Sequence, residues 1–166
     1  MKAKRGFSAV MVLALLLSLA IVAVASAATS TFPQVRAAGA VWFDNQGTPA
    51  FAGFAVKAIG PALPGEDHQP ATGTLVYRDR KGTTFVVAVE HIHAHSATEV
   101  HFGGTISWSS DAALVGGFAH AVAVDGGTPG VGGDLFSVVV TRSSAHEHGT
   151  PVPVSAGNLV VKALGM

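Results

Sequence analysis

The stretch Gly73 to His93 reads GTLVYRDRKGTTFVVAVEHIH, and it decides the fold class. Its first part, 73–78, alternates apolar and polar residues, which is the two-residue period of a strand with one buried face. Its middle, 80–82, is polar and ends in glycine, as a hairpin tip requires. Its last part, 83–93, is rich in β-branched and aromatic residues. The stretch therefore predicts two antiparallel strands joined by a tight turn.

The chain repeats this pattern from residue 39 onwards. Short runs of Val, Phe, Thr and Ala alternate with clusters of Gly, Pro, Asp and Asn, and no segment keeps a helical apolar spacing for three turns. The predicted strands are 39–43, 51–59, 73–79, 83–93, 98–107, 116–124, 135–142 and 157–163. Short connections favour antiparallel neighbours, which must hide their apolar faces. We predict one all-β domain over 39–163, an antiparallel β-sandwich or small barrel of about eight short strands, with neither form favoured.

The first 27 residues have the features of a signal peptide. A basic segment at 1–5 precedes an apolar run over 9–25, and Ala25-Ser26-Ala27 is a small-x-small cleavage pattern. We expect a signal helix over 1–27, a flexible tether over 28–38, and export to the periplasm or the cell exterior. The alternative is a retained membrane anchor, since the apolar run is nearly long enough to cross a bilayer. Membrane association is expected only through this leader.

Composition restricts the function further. The chain has no cysteine, so disulfides cannot stabilise it in an oxidising compartment. After residue 27 there are seven Lys and Arg, ten Asp and Glu and all eight His, which gives a formal net charge of −3. A mildly acidic domain without a basic run is unsuited to nucleic acid. The sequence contains neither a G-x-S-x-G nucleophile elbow nor a phosphate-binding G-x-x-x-x-G-K-[ST] loop, so no enzymatic activity is predicted.

Several segments resemble a known family. They are 73–93 quoted above, ATEVHFGGTI (97–106), FAHAVAVDGGTPGVGGDLFSVVV (118–140) and AGNLVVK (156–162). Together they resemble the post-COAP type domain of secreted bacterial proteins over most of 39–162. The matching positions are Val122 to Asp125, Gly127, Pro129, Gly130, Asp134, Phe136 and Gly157-Asn158-Leu159. The resemblance implies a small all-β module and no catalytic residue, and the histidines at 91, 93 and 95 are not part of its pattern.

The sharpest chemical feature is a group of histidines near the end of the fourth predicted strand. Residues two apart on a strand share a face, so paired imidazoles can converge on one metal ion. If 83–93 pairs with 98–107 in an even register, Ile92, Val100 and Phe102 share one face and the polar donors share the other. We predict zinc or copper ligands among His91, His93, His95, Glu99 and His101. The alternative is a solvated, histidine-rich strand end.

The apolar pattern upstream conflicts with this arrangement. Phe85, Val87 and Val89 have the same parity as His91, so an unbroken strand would bury that histidine. A β-bulge near Glu90 is therefore required to turn the histidines outwards.

Two weaker candidate sites follow. Asp125 and Asp134 flank a glycine-rich loop and offer oxygens to calcium, but the same residues also suit a turn in which they accept backbone N–H groups. His146-Glu147-His148 lacks the four-residue helical spacing of a metalloprotease motif and predicts an exposed loop. If this loop folded back onto His91 and His93, the metal hypothesis would gain donors.

The two tryptophans, Trp42 and Trp108, predict packing in the core or at a sheet edge. A sugar-stacking platform would instead require exposed aromatic side chains in a row.

Three functions remain, in decreasing order of preference. The first is a secreted, non-catalytic module with a binding or structural role at the cell exterior, acting on an unidentified ligand or cell-surface partner. The second is a periplasmic or extracellular zinc- or copper-binding protein that uses the cluster around His91 and His93. The third is a metal-dependent enzyme built on that same cluster.

Overall fold

A computed structural model describes residues 34–61, 68–127, 133–142 and 147–164 of the chain. Its strands are β1 (Gln34–Asn45), β2 (Thr48–Ala58), β3 (Gln69–Asp79), β4 (Thr84–Ala94), β5 (Glu99–Ser109), β6 (Phe118–Val124), β7 (Leu135–Thr141) and β8 (Val152–Leu164). Each strand pairs antiparallel with the next, and β8 pairs with β1. The all-β prediction is confirmed, and of the two forms left open the molecule adopts the closed barrel.

The strand boundaries differ from the prediction mainly at the two ends of the domain. β1 begins at Gln34, so 34–38 of the predicted tether is strand paired with β2 and β8. The predicted signal segment, 1–27, and the remainder of the tether lie outside the described residues. Within the described ranges the one helical element is a 3-10 turn at Ala112–Leu114, and none is long and apolar enough to cross a membrane.

Aromatic rings pack against one another in a barrel interior that otherwise consists of Val, Ala, Leu and Ile side chains. Phe54 stacks on Phe136 with ring centres 5.1 Å apart, Phe43 meets Phe136 edge-on at 5.1 Å, and Phe102 lies 5.2 Å from Phe54. An eight-stranded barrel is just wide enough for side chains to fill it. Chemistry that reaches solvent is therefore carried by the outward-facing side chains.

The barrel closes unevenly, and two carboxylates complete the closure. β7 pairs with β8 at only two positions, whereas β1 pairs with β8 at ten. Beyond the reach of β7, the N–H of Leu159 donates to Asp134 Oδ2 and the N–H of Val161 donates to Asp125 Oδ2, each at 3.0 Å. Buried backbone donors need such partners. The aspartates thus take the place of the missing strand pairs.

The single tyrosine gives a direct optical test of one end of the core. The Tyr77 ring stacks on Phe85 at 4.6 Å, and its hydroxyl accepts a hydrogen bond from Asn45 Nδ2 at 2.9 Å. Burial raises the pKa of Tyr77 above its ordinary value of 10.0, while the Asn45 hydrogen bond opposes this rise and Asp79 adds to it. In alkaline titration we expect tyrosinate absorbance to appear above pH 10 in the folded protein, and at still higher pH in Asn45→Ala.

This tyrosine also links pH to stability. Because its pKa is raised on folding, its contribution is fully present below pH 10.0 and is lost as pH rises through the folded-state pKa. The same titration in denaturant serves as the control and should return to the ordinary value. A lower midpoint in Asn45→Ala than in the parent protein would contradict the assigned hydrogen bond.

Candidate functional site

A β-bulge at Glu90 decides which way the histidines of β4 point. Val89 pairs with Gly104 and His91 pairs with Gly103, so Glu90 is an extra residue opposite β5. Before the bulge Val89 faces the core, and after it Ile92 does, with 0 % exposure. The bulge required by the sequence is confirmed. It turns His91 and His93 to the outer face of the barrel.

The β4–β5 hairpin has the even register that the sequence analysis considered. Ile92 pairs with Phe102 inside the barrel, and His93 pairs with His101 outside it. The imidazole centres of His93 and His101 lie 6.3 Å apart. Glu99 Oε1 lies 2.8 Å from His101 Nε2, a contact that orients this ring as carboxylates orient metal-ligating histidines. Four of the five predicted metal ligands thus share one surface.

The fifth, His95, joins them from the turn that follows β4. Its ring is stacked parallel to that of His101, with centres 5.3 Å apart, and it lies 6.0 Å from His93. Its backbone N–H donates to the carbonyl of Glu99 at 2.9 Å, which fixes this turn. The structure therefore brings together all of the residues that the sequence named for zinc or copper.

A glycine allows an unpredicted histidine to join the group. Gly103 lies between His91 on β4 and His120 on β6, and the two rings approach to 5.4 Å above it. A Cβ at Gly103 would lie 2.8 Å from His120 Nδ1 and 3.2 Å from His91 Cε1. His120 is 1 % exposed, although Ala119 and Ala121 beside it take the core positions. The missing side chain creates the space in which these imidazoles meet.

Two more histidines reach the same surface from outside the hairpin. His68 precedes β3, and its ring lies 5.3 Å from His91 and 5.3 Å from His93. His148 precedes β8, and its ring lies 4.3 Å from His101 and 6.0 Å from His120. His146 lies outside the described residues. His148 thus reaches the group at His101 and His120, whereas a fold-back onto His91 and His93 stays a prediction.

We call the resulting group the histidine cluster. It consists of His68, His91, His93, His95, His101, His120 and His148, which are all of the histidines in the described ranges. Neighbouring ring centres are 4.3 to 6.3 Å apart. A tetrahedral zinc ion with Zn–N bonds of about 2.0–2.1 Å holds the centres of its imidazole ligands about 5 Å apart. Within the described ranges, no three histidine or acidic groups already stand as a metal-binding set, so coordination requires ring rotation.

The two aspartates predicted for calcium have backbone partners. Asp125 Oδ1 accepts the N–H of Gly127 at 2.8 Å, and Asp134 Oδ1 accepts that of Gly126 at 3.0 Å. Their second oxygens bind β8 as described above. These contacts are the ones that the turn interpretation predicts, and calcium binding stays a prediction. Residues 128–132 of the loop lie outside the described residues.

The tryptophans are not buried, and the prediction that they pack in the core is wrong. Trp42 is 47 % exposed and Trp108 is 53 % exposed. Trp42 is paired on both sides of β1, and alternation along that strand places its indole on the outer face. Trp108 pairs with Val86 of β4 and lies beyond the last pair between β5 and β6, at Thr105, so the sheet-edge alternative fits this residue. It has the same parity as the buried Ile106, but a register shift between the two turns its indole outwards.

Comparison with known proteins adds no family to this picture. No protein-family model, no curated protein and no solved structure matches the chain. The resemblance to the post-COAP type domain stays a prediction. The outer surface of the barrel carries the side chains that bear on function.

Proposed function

We propose that this protein is an exported, non-catalytic β-barrel that binds zinc or copper ions through the histidine cluster. One observation supports this most strongly. Imidazoles from positions as distant as 68 and 148 meet on a single surface, with neighbouring ring centres 4.3 to 6.3 Å apart. A solvated strand end would explain the histidines of the hairpin, but not the arrival of others from β6 and from the segments before β3 and β8.

The partial burial of the cluster at His101 and His120 also favours a ligand over simple solvation. The side chain of His101 is 16 % exposed, and His120 is almost fully buried. Imidazoles packed together repel one another once protonated, and they offer no apolar surface comparable to valine or leucine. A bound metal ion would make this close packing of imidazoles favourable, because neutral rings at this spacing can coordinate it.

The cluster has two lobes that share His93. In the first lobe, His68 lies 5.3 Å from both His91 and His93. In the second lobe, His101 lies 5.3 Å from His95 and 4.3 Å from His148, and Glu99 contacts its Nε2. These separations are close to those of imidazoles on one tetrahedral ion. Rotation of the exposed rings of His95 and His148 would complete the second set.

The donor chemistry selects the metal class. Neutral imidazole nitrogens suit zinc and copper, whereas calcium and magnesium require oxygen ligands. The chain has no thiol to oxidise, which suits a metal site outside the cytoplasm. The leader-like segment over 1–27 supports export in the same way.

Calorimetric titration of the purified protein with Zn²⁺ and with Cu²⁺ tests this proposal. In the double variant His93→Ala/His101→Ala, which removes a directly opposed pair, we expect the affinity to fall by about 100-fold or more. Loss of a single supporting contact already costs about 10- to 100-fold in metal affinity.

The matched control is Thr105→Ala, an outward-facing position of the same strand β5 that carries no metal donor. It should bind metal like the parent protein, and far-ultraviolet circular dichroism should show all-β spectra for both variants. Unchanged metal affinity in the folded double variant would overturn the proposal, as would the absence of metal binding by the parent protein.

A further inference from the structure

A second outer surface, on β1 to β3, carries aromatic and basic side chains in one row. Trp42 pairs with Phe51 across β1 and β2, and Phe51 pairs with Arg78 across β2 and β3. The Trp42 and Phe51 rings have centres 5.3 Å apart and are tilted by 56°. With Trp42 about half exposed, the row presents an indole on one side of Phe51 and a guanidinium group on the other.

This row forms one wall of a cleft of about 590 Å³. The cleft is lined by Trp42, Phe51, Arg78, Asp79, Arg80 and Gly82. Its volume lies within the range of small-molecule sites, which are about 300–1,000 Å³. It belongs to the end of the β3–β4 hairpin and includes none of the histidine cluster.

The backbone holds the aromatic pair in place. β1 is paired on both sides, and at the irregularity of β8 beside Trp42 the Ser155 hydroxyl donates to the Trp42 carbonyl at 3.0 Å. Phe51 lies against Gly53, where an added Cβ would be 3.5 Å from the ring. A platform on paired strands is pre-organised, so a ligand does not have to order it on binding.

The charges of the cleft are available for a ligand. Among the described residues, Arg78 and Arg80 form no ion pair. Asp79 Oδ1 is engaged by the backbone N–H of Thr83 at 2.9 Å, in the turn between β3 and β4. Two guanidinium groups beside an exposed indole therefore offer both a stacking face and a fork for a carboxylate.

We infer that this cleft binds an acidic sugar, with the apolar face of the ring on Trp42 and its carboxylate on Arg78 or Arg80. A purely apolar partner would leave the two guanidinium groups without a counter-charge. A neutral sugar would use the indole alone. A uronate-type ring matches both features, because it carries one C–H face and one carboxylate.

Fluorescence of Trp42 tests the inference directly. The chain has two tryptophans, so Trp108→Phe leaves Trp42 as the only indole emitter. This variant also serves as the matched control, since Trp108 is similarly exposed but lies outside the cleft. We expect oligogalacturonate to change the emission of Trp42 saturably, and its fully methyl-esterified form to bind at least about tenfold more weakly.

Two further variants assign the contacts by calorimetry. Arg78→Ala/Arg80→Ala should weaken binding of the acid at least about tenfold and leave the weak binding of the ester unchanged. Trp42→Ala should weaken both ligands by about tenfold. These are exposed positions, and circular dichroism verifies the fold.

Three results would overturn the inference. They are no binding of oligogalacturonate by the folded parent protein, equal affinity for acid and ester, and tighter binding of a single-stranded oligonucleotide than of the acidic sugar. Zinc affinity is measured separately on the same preparation, so the outcome at this cleft is independent of the metal proposal.

Discussion

Replacing Asp134 with alanine is expected to lower the free energy of unfolding by about 3–6 kcal/mol. The side chain is 1 % exposed, and its two oxygens accept the backbone N–H groups of Gly126 and Leu159, each at 3.0 Å. Hydrogen bonds to charged groups contribute about 1.5–3 kcal/mol each, and their loss leaves buried donors unsatisfied. Urea denaturation followed by circular dichroism measures the change.

The size of this effect follows from where the residue lies. β7 and β8 share only two paired positions, so the closure of the barrel depends on side chains that bind the free edge of β8. The Asp134 carbonyl also accepts the N–H of Val154 at 3.0 Å, and alanine preserves that contact. The expected loss therefore measures the carboxylate alone.

Two control variants test whether the loss of stability comes from the buried carboxylate of Asp134. Asp134→Asn keeps one side-chain oxygen and should fall between the parent protein and the alanine variant. Asp111→Ala removes an exposed carboxylate that caps the 3-10 turn by accepting the N–H of Ala113, and it should cost only about 1 kcal/mol. An equal cost for the alanine variants at positions 111 and 134 would contradict the role of Asp134 in barrel closure.

These closing contacts show which part of the fold the sequence could predict. Alternation and turn residues identified all eight strands, because a half-buried strand carries a two-residue period that is local. The choice between a sandwich and a barrel depends on whether β1 pairs with β8, whose residues are more than a hundred positions apart. No local pattern encodes that pairing. The sequence also identified Asp125 and Asp134 as turn residues or calcium ligands, but their contacts with β8 depend on the same long-range closure.

The histidine cluster was likewise only partly predictable from the sequence. His91, His93 and His101 could be grouped from the sequence, because strand parity and one hairpin register place them on one face. His120 could not, since its approach depends on the register of β5 against β6 and on the absence of a side chain at Gly103. A glycine opposite a histidine is a signal only once the register is known.

For the tryptophans, the core packing predicted from the residue type was wrong. Large aromatic residues usually mark a core or a sheet edge, and the residue type therefore predicts such packing for Trp42 and Trp108. Phenylalanine and aliphatic side chains occupy the inward positions of the barrel, and Trp42 has the opposite strand parity, so its indole faces outwards. Trp108 has the same parity as the buried Ile106, but the register shift of β5 between these two residues turns its indole outwards.

Zinc is expected to stabilise the folded protein strongly, and mild acid is expected to remove this effect. A ligand that binds only the native state at 100 times its Kd adds about 2.7 kcal/mol to the free energy of unfolding, and at 1,000 times its Kd about 4.1 kcal/mol. Imidazole coordinates metal only in its neutral form, so protons compete with zinc for the cluster. Thermal melting at neutral and at mildly acidic pH, with and without zinc, measures both effects.

Comparing zinc with calcium, and the double variant with the parent protein, distinguishes metal binding by the histidine cluster from metal binding by Asp125 and Asp134. His93→Ala/His101→Ala should show a much smaller zinc-dependent rise in melting temperature than the parent protein, because the shared donor of both lobes and its cross-strand partner are gone. Calcium acts through oxygen ligands and should not reproduce the zinc effect at the cluster, so a calcium-dependent rise in melting temperature would point to Asp125 and Asp134 instead. A zinc-dependent rise of equal size in the double variant would show that the metal stabilises the barrel elsewhere.

A rise in the parent protein that persists undiminished in acid would exclude imidazoles as the ligands, since protonated rings have no lone pair to donate.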